Sequence, residues 1–234
     1  MMNRFPFKGD LGAIPRFLPV VHVIDRAQAF HQVSNLKKAG VRGCFLISMR
    51  GMPTDELLGI ATAVRALHRP MWVGVNLLGV SPRDAAYLAD DAGLDGLWMD
   101  ESAGFGVACC CNVFVGAAFK YQYGGDDSLE QLTAEVKRVS SFCVDILTTS
   151  GRATGEPATE EKLSRMAALA KEEGKPLAVA SGVDLDNVRM HARYANYLLV
   201  STSLEITHGQ FDMDKVREMY AVIEETPVSK ISDE

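Results

Sequence analysis

Eight short apolar runs, at 17–24, 41–48, 70–77, 94–99, 112–120, 144–147, 177–180 and 197–200, mark this chain at intervals, and nearly every gap carries a helical pattern opened by a capping residue. The runs are almost continuously apolar. Strands of that kind are buried on both faces, which is the condition of a parallel sheet covered by helices. Eight strand–helix units are the count of a closed (β/α)₈ barrel. An open doubly wound sheet is the alternative, but it would carry a G-x-G-x-x-G turn after its first strand, and none follows Ile24. Asp25, Thr54, Ser81-Pro82, Ser128, Thr159, Asp186 and Asp212 mark the expected helix starts. The expected layout is an irregular segment over 1–16, one barrel domain over 17–225 and a loose tail over 226–234. The exception to the rhythm is 102–111, too short and glycine-bearing for a crossover helix, where one short helical turn is expected.

Composition closes off several classes of function. The chain has 234 residues with a net charge of −6. With no Lys/Arg-rich run, it lacks the basic face that nucleic-acid binding requires. No stretch approaches the roughly 20 apolar residues of a membrane span, and the N-terminus does not read as a signal peptide. The expectation is a cytoplasmic protein with no integral membrane association. Its five cysteines, three of them adjacent at 109–111, form neither a disulfide framework nor a zinc spacing, and read as buried or half-buried thiols. No H-E-x-x-H pairing joins His31, His68, His191 or His208, so no metal and no cofactor is expected.

In a barrel of this kind the chemistry sits at the C-terminal ends of the strands. The candidates there include His22, Ser48, Arg50, Asn76, Asp100, Glu101, Lys120, the loop 148–157, Ser181-Gly182 and Ser201-Thr202-Ser203. Alternation on the fifth run puts Phe114, Gly116, Ala118 and Lys120 on one face, with the small residues leaving room inside for a lysine stem. The same rule turns Gly74 and Asn76 inward. Lys120 could form a Schiff base, move a proton, hold an anion, or merely pair with Asp100. Asp100 and Glu101 must face opposite ways, and Asp100, in phase with Trp98, is the preferred one. His22 reads as a hydrogen-bonded barrel histidine. Thr149, Ser150, Arg152 and Thr154 would position a polar ligand body. Ser181, Gly182, Ser201, Thr202 and Ser203 occupy the usual phosphate position after strands seven and eight. Asp184 and Glu205 follow those segments, and either carboxylate aimed inward would repel a phosphate.

The segment Asp145-Ile-Leu-Thr-Thr-Ser-Gly-Arg-Ala-Thr-Gly-Glu-Pro157, followed by Ser181-Gly-Val-x-x-Asp-Asn-Val188 and Ser201-Thr-Ser-Leu204, resembles the last third of the BtpA family. That family comprises phosphate-binding-type TIM barrels named from a photosystem I biogenesis factor, with relatives beside sugar-utilisation genes. The resemblance runs over 113–204, and Lys120 falls where those proteins carry a lysine after strand five. It implies a (β/α)₈ barrel but no settled reaction. The chain departs from the pattern in its opening, in the short 102–111 connection, and in having Ser201 and Glu205 where the family carries a glycine and a lysine. Two readings stay open. One is an enzyme acting on a small phosphorylated sugar or nucleoside-like molecule, as an isomerase, lyase or glycosyl transferase, with Lys120 and Asp100 handling a proton or carbonyl. The other is a non-catalytic assembly factor that binds a partner protein. A homo-oligomer built on the flank near 102–111 is a further expectation.

Overall fold

The computed structural model describes residues 10–48, 51–101, 109–120 and 124–229. Eight parallel strands, β1 (Phe17–His22), β2 (Gly43–Ile47), β3 (Trp72–Asn76), β4 (Gly96–Met99), β5 (Asn112–Gly116), β6 (Ile146–Thr149), β7 (Leu177–Ala180) and β8 (Tyr197–Val200), pair in sequence order. The last returns to the first, Leu198 opposite Phe17 and Val200 opposite Pro19, and closes the barrel. Around it lie α1 (Arg26–Lys38), α2 (Thr54–His68), α3 (Pro82–Asp91), α4 (Leu129–Ser140), α5 (Glu160–Glu172), α6 (Val188–Tyr194) and α7 (Met213–Glu225). The chain is therefore a (β/α)₈ barrel, as its run of apolar segments predicts. The side chains of Asp25, Ser81, Ser128, Thr159 and Asp212 each accept a backbone N–H of the first turn they cap. Asp186 caps nothing; α6 starts two residues later, at Val188, with Asn187 before it.

Two layers of apolar contact hold the barrel. Outward strand residues such as Val73, Leu97, Val115, Leu147 and Val179 pack under the helices, and inward residues make a separate cluster in the lumen. The lumen is aromatic. Phe45 meets Trp72 edge-on with ring centroids 5.1 Å apart and meets Phe114 at 5.2 Å. Glycine makes this possible, because a Cβ on Gly96 would stand 2.2 Å from the Trp72 indole and one on Gly74 2.4 Å from the Phe45 ring. At the N-terminal end a polar device recurs on alternate strands. Asp95, Asp145 and Asn196, just before β4, β6 and β8, accept the N–H of Val73, Val113 and Leu177 on the preceding strand.

Three departures from the sequence reading matter. β5 stops at Gly116 rather than reaching 120. A two-stranded hairpin, β9 (Glu205–Thr207) and β10 (Gln210–Phe211), stands between β8 and α7, outside the eight apolar runs. The start of the tail is tied down: Thr226 is buried, and the Ser229 N–H donates to the Arg193 carbonyl at 2.7 Å. Residues 102–108, with the helical turn expected there, and the strand-end candidate Arg50 lie outside the described residues.

Candidate functional site

The ends of β3, β4 and β5 bring Asn76, Asp100 and Lys120 together. Asn76 is in register with Trp98 on β4 and is buried, and its amide donates to Asp100 Oδ1 at 3.2 Å. Asp100 Oδ2 lies 3.9 Å from Lys120 Nζ, a loose ion pair whose side chains are 17% and 15% exposed, so both remain reachable from outside. Glu101 is exposed and does not join them. The Lys120 ammonium also lies 4.8 Å from the centre of the Phe119 ring and 5.9 Å from that of Trp98, a setting that favours a cation.

Lys120 does not arrive by the alternation expected of it. The space beside Gly116 is taken by the main chain of Asp100, whose carbonyl oxygen would lie 2.0 Å from a Cβ there. Ala118 then turns outward with φ +50, Phe119 enters the lumen, and Lys120 follows with φ +49. Two non-glycine residues in the left-handed region so close together are costly, and such strain collects at functional sites. The surroundings hold it. Lys162, on α5 and 2% exposed, donates to the Ala118 carbonyl at 2.9 Å and lies 3.1 Å from Asp127 Oδ1. Burial lowers its pKa, Asp127 partly restores it, and the charge of Arg152 lowers it further.

The β6 residues expected to touch ligand serve this same turn. Thr149 and Ser150 are fully buried. Thr149 shares the helix-facing side of Leu147 and donates to the Ala118 carbonyl at 3.3 Å; Ser150 Oγ accepts the Lys120 N–H at 2.8 Å and donates to the Gly151 carbonyl at 2.7 Å. Both hydroxyls are thus engaged in holding the turn that aims Lys120. Thr148, the first residue of the candidate loop, faces the lumen instead, in register with Gly116 and Ala178, with its buried hydroxyl unpartnered. The buried Trp98 Nε1 is likewise unpartnered, and groups of this kind call for a water or a ligand. Arg152 and Thr154 lie in the exposed part of the loop, Arg152 3.6 Å from Asp127. The loop itself is locked inward, since Cβ atoms on Gly151 and Gly182 would stand 2.2 and 2.3 Å from the Glu156 main chain.

On β7 and β8, Ser181 (φ +75) and Gly182 (φ +71) make a left-handed turn, and Ser181 Oγ accepts the Gly155 N–H at 2.8 Å. Ser203 donates to the Val183 carbonyl and Ser201 to the Val20 carbonyl, each at 2.6 Å, and Thr202 is exposed in the 3-10 turn Thr202–Leu204. The two acidic residues differ in aim. Asp184 accepts the N–H groups of Asp186 and Asn187, ahead of α6. Glu205 turns in, 2.9 Å from His22 Nδ1. Burial pushes the Glu205 carboxyl up, but the His22 hydrogen bond, the Gly209 N–H and the charges of His22 and His208 outweigh it and hold the pKa below its ordinary value.

A polar cleft of about 460 Å³ opens beside this face, lined by 76–82 at the start of α3 and by Met99, Asp100 and Glu101. A second cleft, of about 350 Å³, lies at the opposite end of the barrel between Ile14, Lys37, Arg42 and Trp72. The first holds Asn76 and Asp100 and stands at the end where barrels of this class do their chemistry, so it is the candidate site.

No protein-family model and no curated protein matches the sequence. The fold does match solved structures. Phosphoribosyl anthranilate isomerase from Thermus thermophilus superposes with a TM-score of 0.63 at 14% identity, covering 90% of this chain and 98% of that one. Thiamine phosphate pyrophosphorylase from Pyrococcus furiosus gives 0.64 at 15%, covering 90% and 95%. Phospho-2-dehydro-3-deoxyheptonate aldolase from Thermotoga maritima gives 0.62 at 16%, covering 94% of this chain and 73% of that one. At such identities the likeness is one of fold.

Proposed function

We propose that this barrel binds a small phosphorylated sugar or nucleoside-like molecule at its C-terminal mouth and acts on it as an isomerase, lyase or glycosyl transferase. The observation that carries the reading is the convergence of Asn76, Asp100 and Lys120 from three strand ends beside an open cleft. A cation, a carboxylate and an amide within reach of one ligand suit the handling of a carbonyl or hydroxyl. The three structural relatives are each named for a phosphorylated compound, which is in keeping with this substrate class. The residues over 113–204 suggest BtpA-like kinship.

In this reading the phosphate would rest on backbone N–H groups around Gly182 and Thr202-Ser203, because the Ser181, Ser201 and Ser203 hydroxyls already have partners. The assembly-factor reading would call for a contiguous apolar docking face. The large exposed apolar side chains include Leu67 on α2, Tyr87 on α3, Leu129 on α4 and Ile206 on β9, different elements of the fold. No helix among the described residues is long and apolar enough to cross a membrane, in keeping with the proposed cytoplasmic location.

Titration calorimetry against a panel of sugar phosphates and nucleotides tests the proposal. A binder is expected, with Lys120→Ala weakening it about tenfold or more, the worth of one lost charged hydrogen bond. If no compound binds the unaltered protein, or if Lys120→Ala and Asn76→Ala bind as tightly as it does, the proposal fails.

A further inference from the structure

A second cluster at the mouth joins residues from the two ends of the chain. His22 ends β1, Glu205 opens β9, and His208 sits in the turn of the β9–β10 hairpin. The His22 and His208 rings stack with centroids 4.9 Å apart and planes 22° from parallel. One donor atom from each of His22, Glu205 and His208 lies within 4.8 Å of the other two. We propose that these three side chains form a site for a divalent transition-metal ion, with its remaining coordination positions open to an oxygen ligand from the mouth.

Two imidazoles and one carboxylate are a donor set suited to zinc or ferrous iron. Around a tetrahedral zinc, donors at about 2.1 Å stand about 3.4 Å apart, so the cluster needs to close by roughly 1 Å. Glu205 Oε1 holds both the His22 contact and the Gly209 N–H at 3.0 Å, which leaves Oε2 for an ion. The outer supports are already present. The Gln28 amide donates to the carbonyls of both His22 and Gly209, pinning the hairpin to β1. Gly209 (φ +78) is needed for that approach, since a Cβ there would meet Ile24 Cδ1 at 2.7 Å and the His22 carbonyl at 3.0 Å. The hairpin so placed brings the Gly209 N–H onto Glu205 Oε1, a second contact of the type that orients metal ligands.

Simpler readings account for less. A structural His22–Glu205 hydrogen bond leaves the stacked His208 without a purpose. A Ser–His–Glu nucleophile is poorly served by the geometry: Ser201 Oγ lies 3.3 Å from Nδ1, the nitrogen Glu205 already occupies, and 3.5 Å from Nε2, beyond a normal hydrogen bond, while its proton goes to the Val20 carbonyl at 2.6 Å. A metal also gives the inward Glu205 a role. Bound to a dication, the carboxylate would belong to a positive centre instead of standing as bare negative charge beside the proposed phosphate segment.

The test is metal titration of chelator-treated protein with no organic ligand present, so its outcome is separate from that of the ligand proposal. Zinc is counted by elemental analysis and cobalt(II) is followed by absorption. One ion per chain is expected, with ligand-field bands of nitrogen and oxygen ligation and no thiolate charge transfer. His208→Ala and Glu205→Gln, with folding checked by circular dichroism, should each weaken binding about 100-fold or more, beyond the loss of an outer-shell partner. Cys109→Ser serves as the control, because Asp90, Cys109 and Cys111 also have donor atoms within 4.8 Å of one another. Absence of binding at micromolar free metal overturns the proposal. So does an ion retained by His208→Ala, or one lost in Cys109→Ser.

Discussion

Lys162 shows how far one side chain can be from the position its sequence suggests. A lysine in a helical pattern is ordinarily assigned to solvent, yet this one is 2% exposed and supports the strained Ala118 carbonyl that sets the direction of Lys120. Lys162→Met keeps the length and removes both contacts, leaving Asp127 and the Ala118 carbonyl behind. A loss of about 3 kcal/mol in urea unfolding is expected, the low end for breaking a buried pair because Asp127 stays partly open to water. The pH dependence has a definite sign. Burial lowers the Lys162 pKa below its ordinary 10.5 by more than Asp127 restores, so between the folded value and 10.5 the unfolded chain keeps a proton that the folded chain has released. This lysine therefore makes stability rise with pH across that window. Buried Cys44 and Tyr197, whose pKa values are raised by burial, act in the opposite direction in both proteins, so the measurement that isolates Lys162 is the unfolding midpoint of the unaltered protein minus that of Lys162→Met, which should rise across alkaline pH.

Among the elements, the eight strands and most helix starts were legible because each rests on a local signal, a continuous apolar run or a capping side chain. What failed to show is equally physical. The turn after β5 depends on left-handed Ala118, and alanine carries no sequence mark of that conformation. Strand alternation therefore misplaces Lys120, and its loose pairing with Asp100 is one of several partners that the sequence leaves open to it. The β9–β10 hairpin has too few residues to display alternation, and His22 stands 183 positions from Glu205, so their contact exists only once the barrel closes. Within the strands, glycine is a volume statement. Gly96→Ala would drive a methyl into the Trp72 indole and should cost about 1–3 kcal/mol as overpacking. Combined with Trp72→Leu, which vacates that space, its added cost should largely vanish, a coupling that a double-mutant cycle in urea would measure.

As a whole molecule, the barrel is closed twice. β1 and β8 pair along their backbones, and Arg16 at the foot of β1 donates to the carbonyls of Ala192, Ile223 and Thr226, drawing the last helix against the first strand. This closure gathers distant residues at one mouth and fills the lumen with rings. The protein has two tryptophans, and both lie in that lumen. Trp98 lies beneath the mouth, with its ring centre 5.9 Å from the Lys120 ammonium and its indole N–H unpartnered. Tryptophan emission is then a readout of the barrel interior alone. A molecule that draws Lys120 away or meets that N–H should shift or quench the fluorescence of the unlabelled protein, and Trp98→Phe should silence the change while Trp72 continues to emit. The aromatic filling that holds the barrel shut thus also works as a native optical indicator of whatever comes to rest on it.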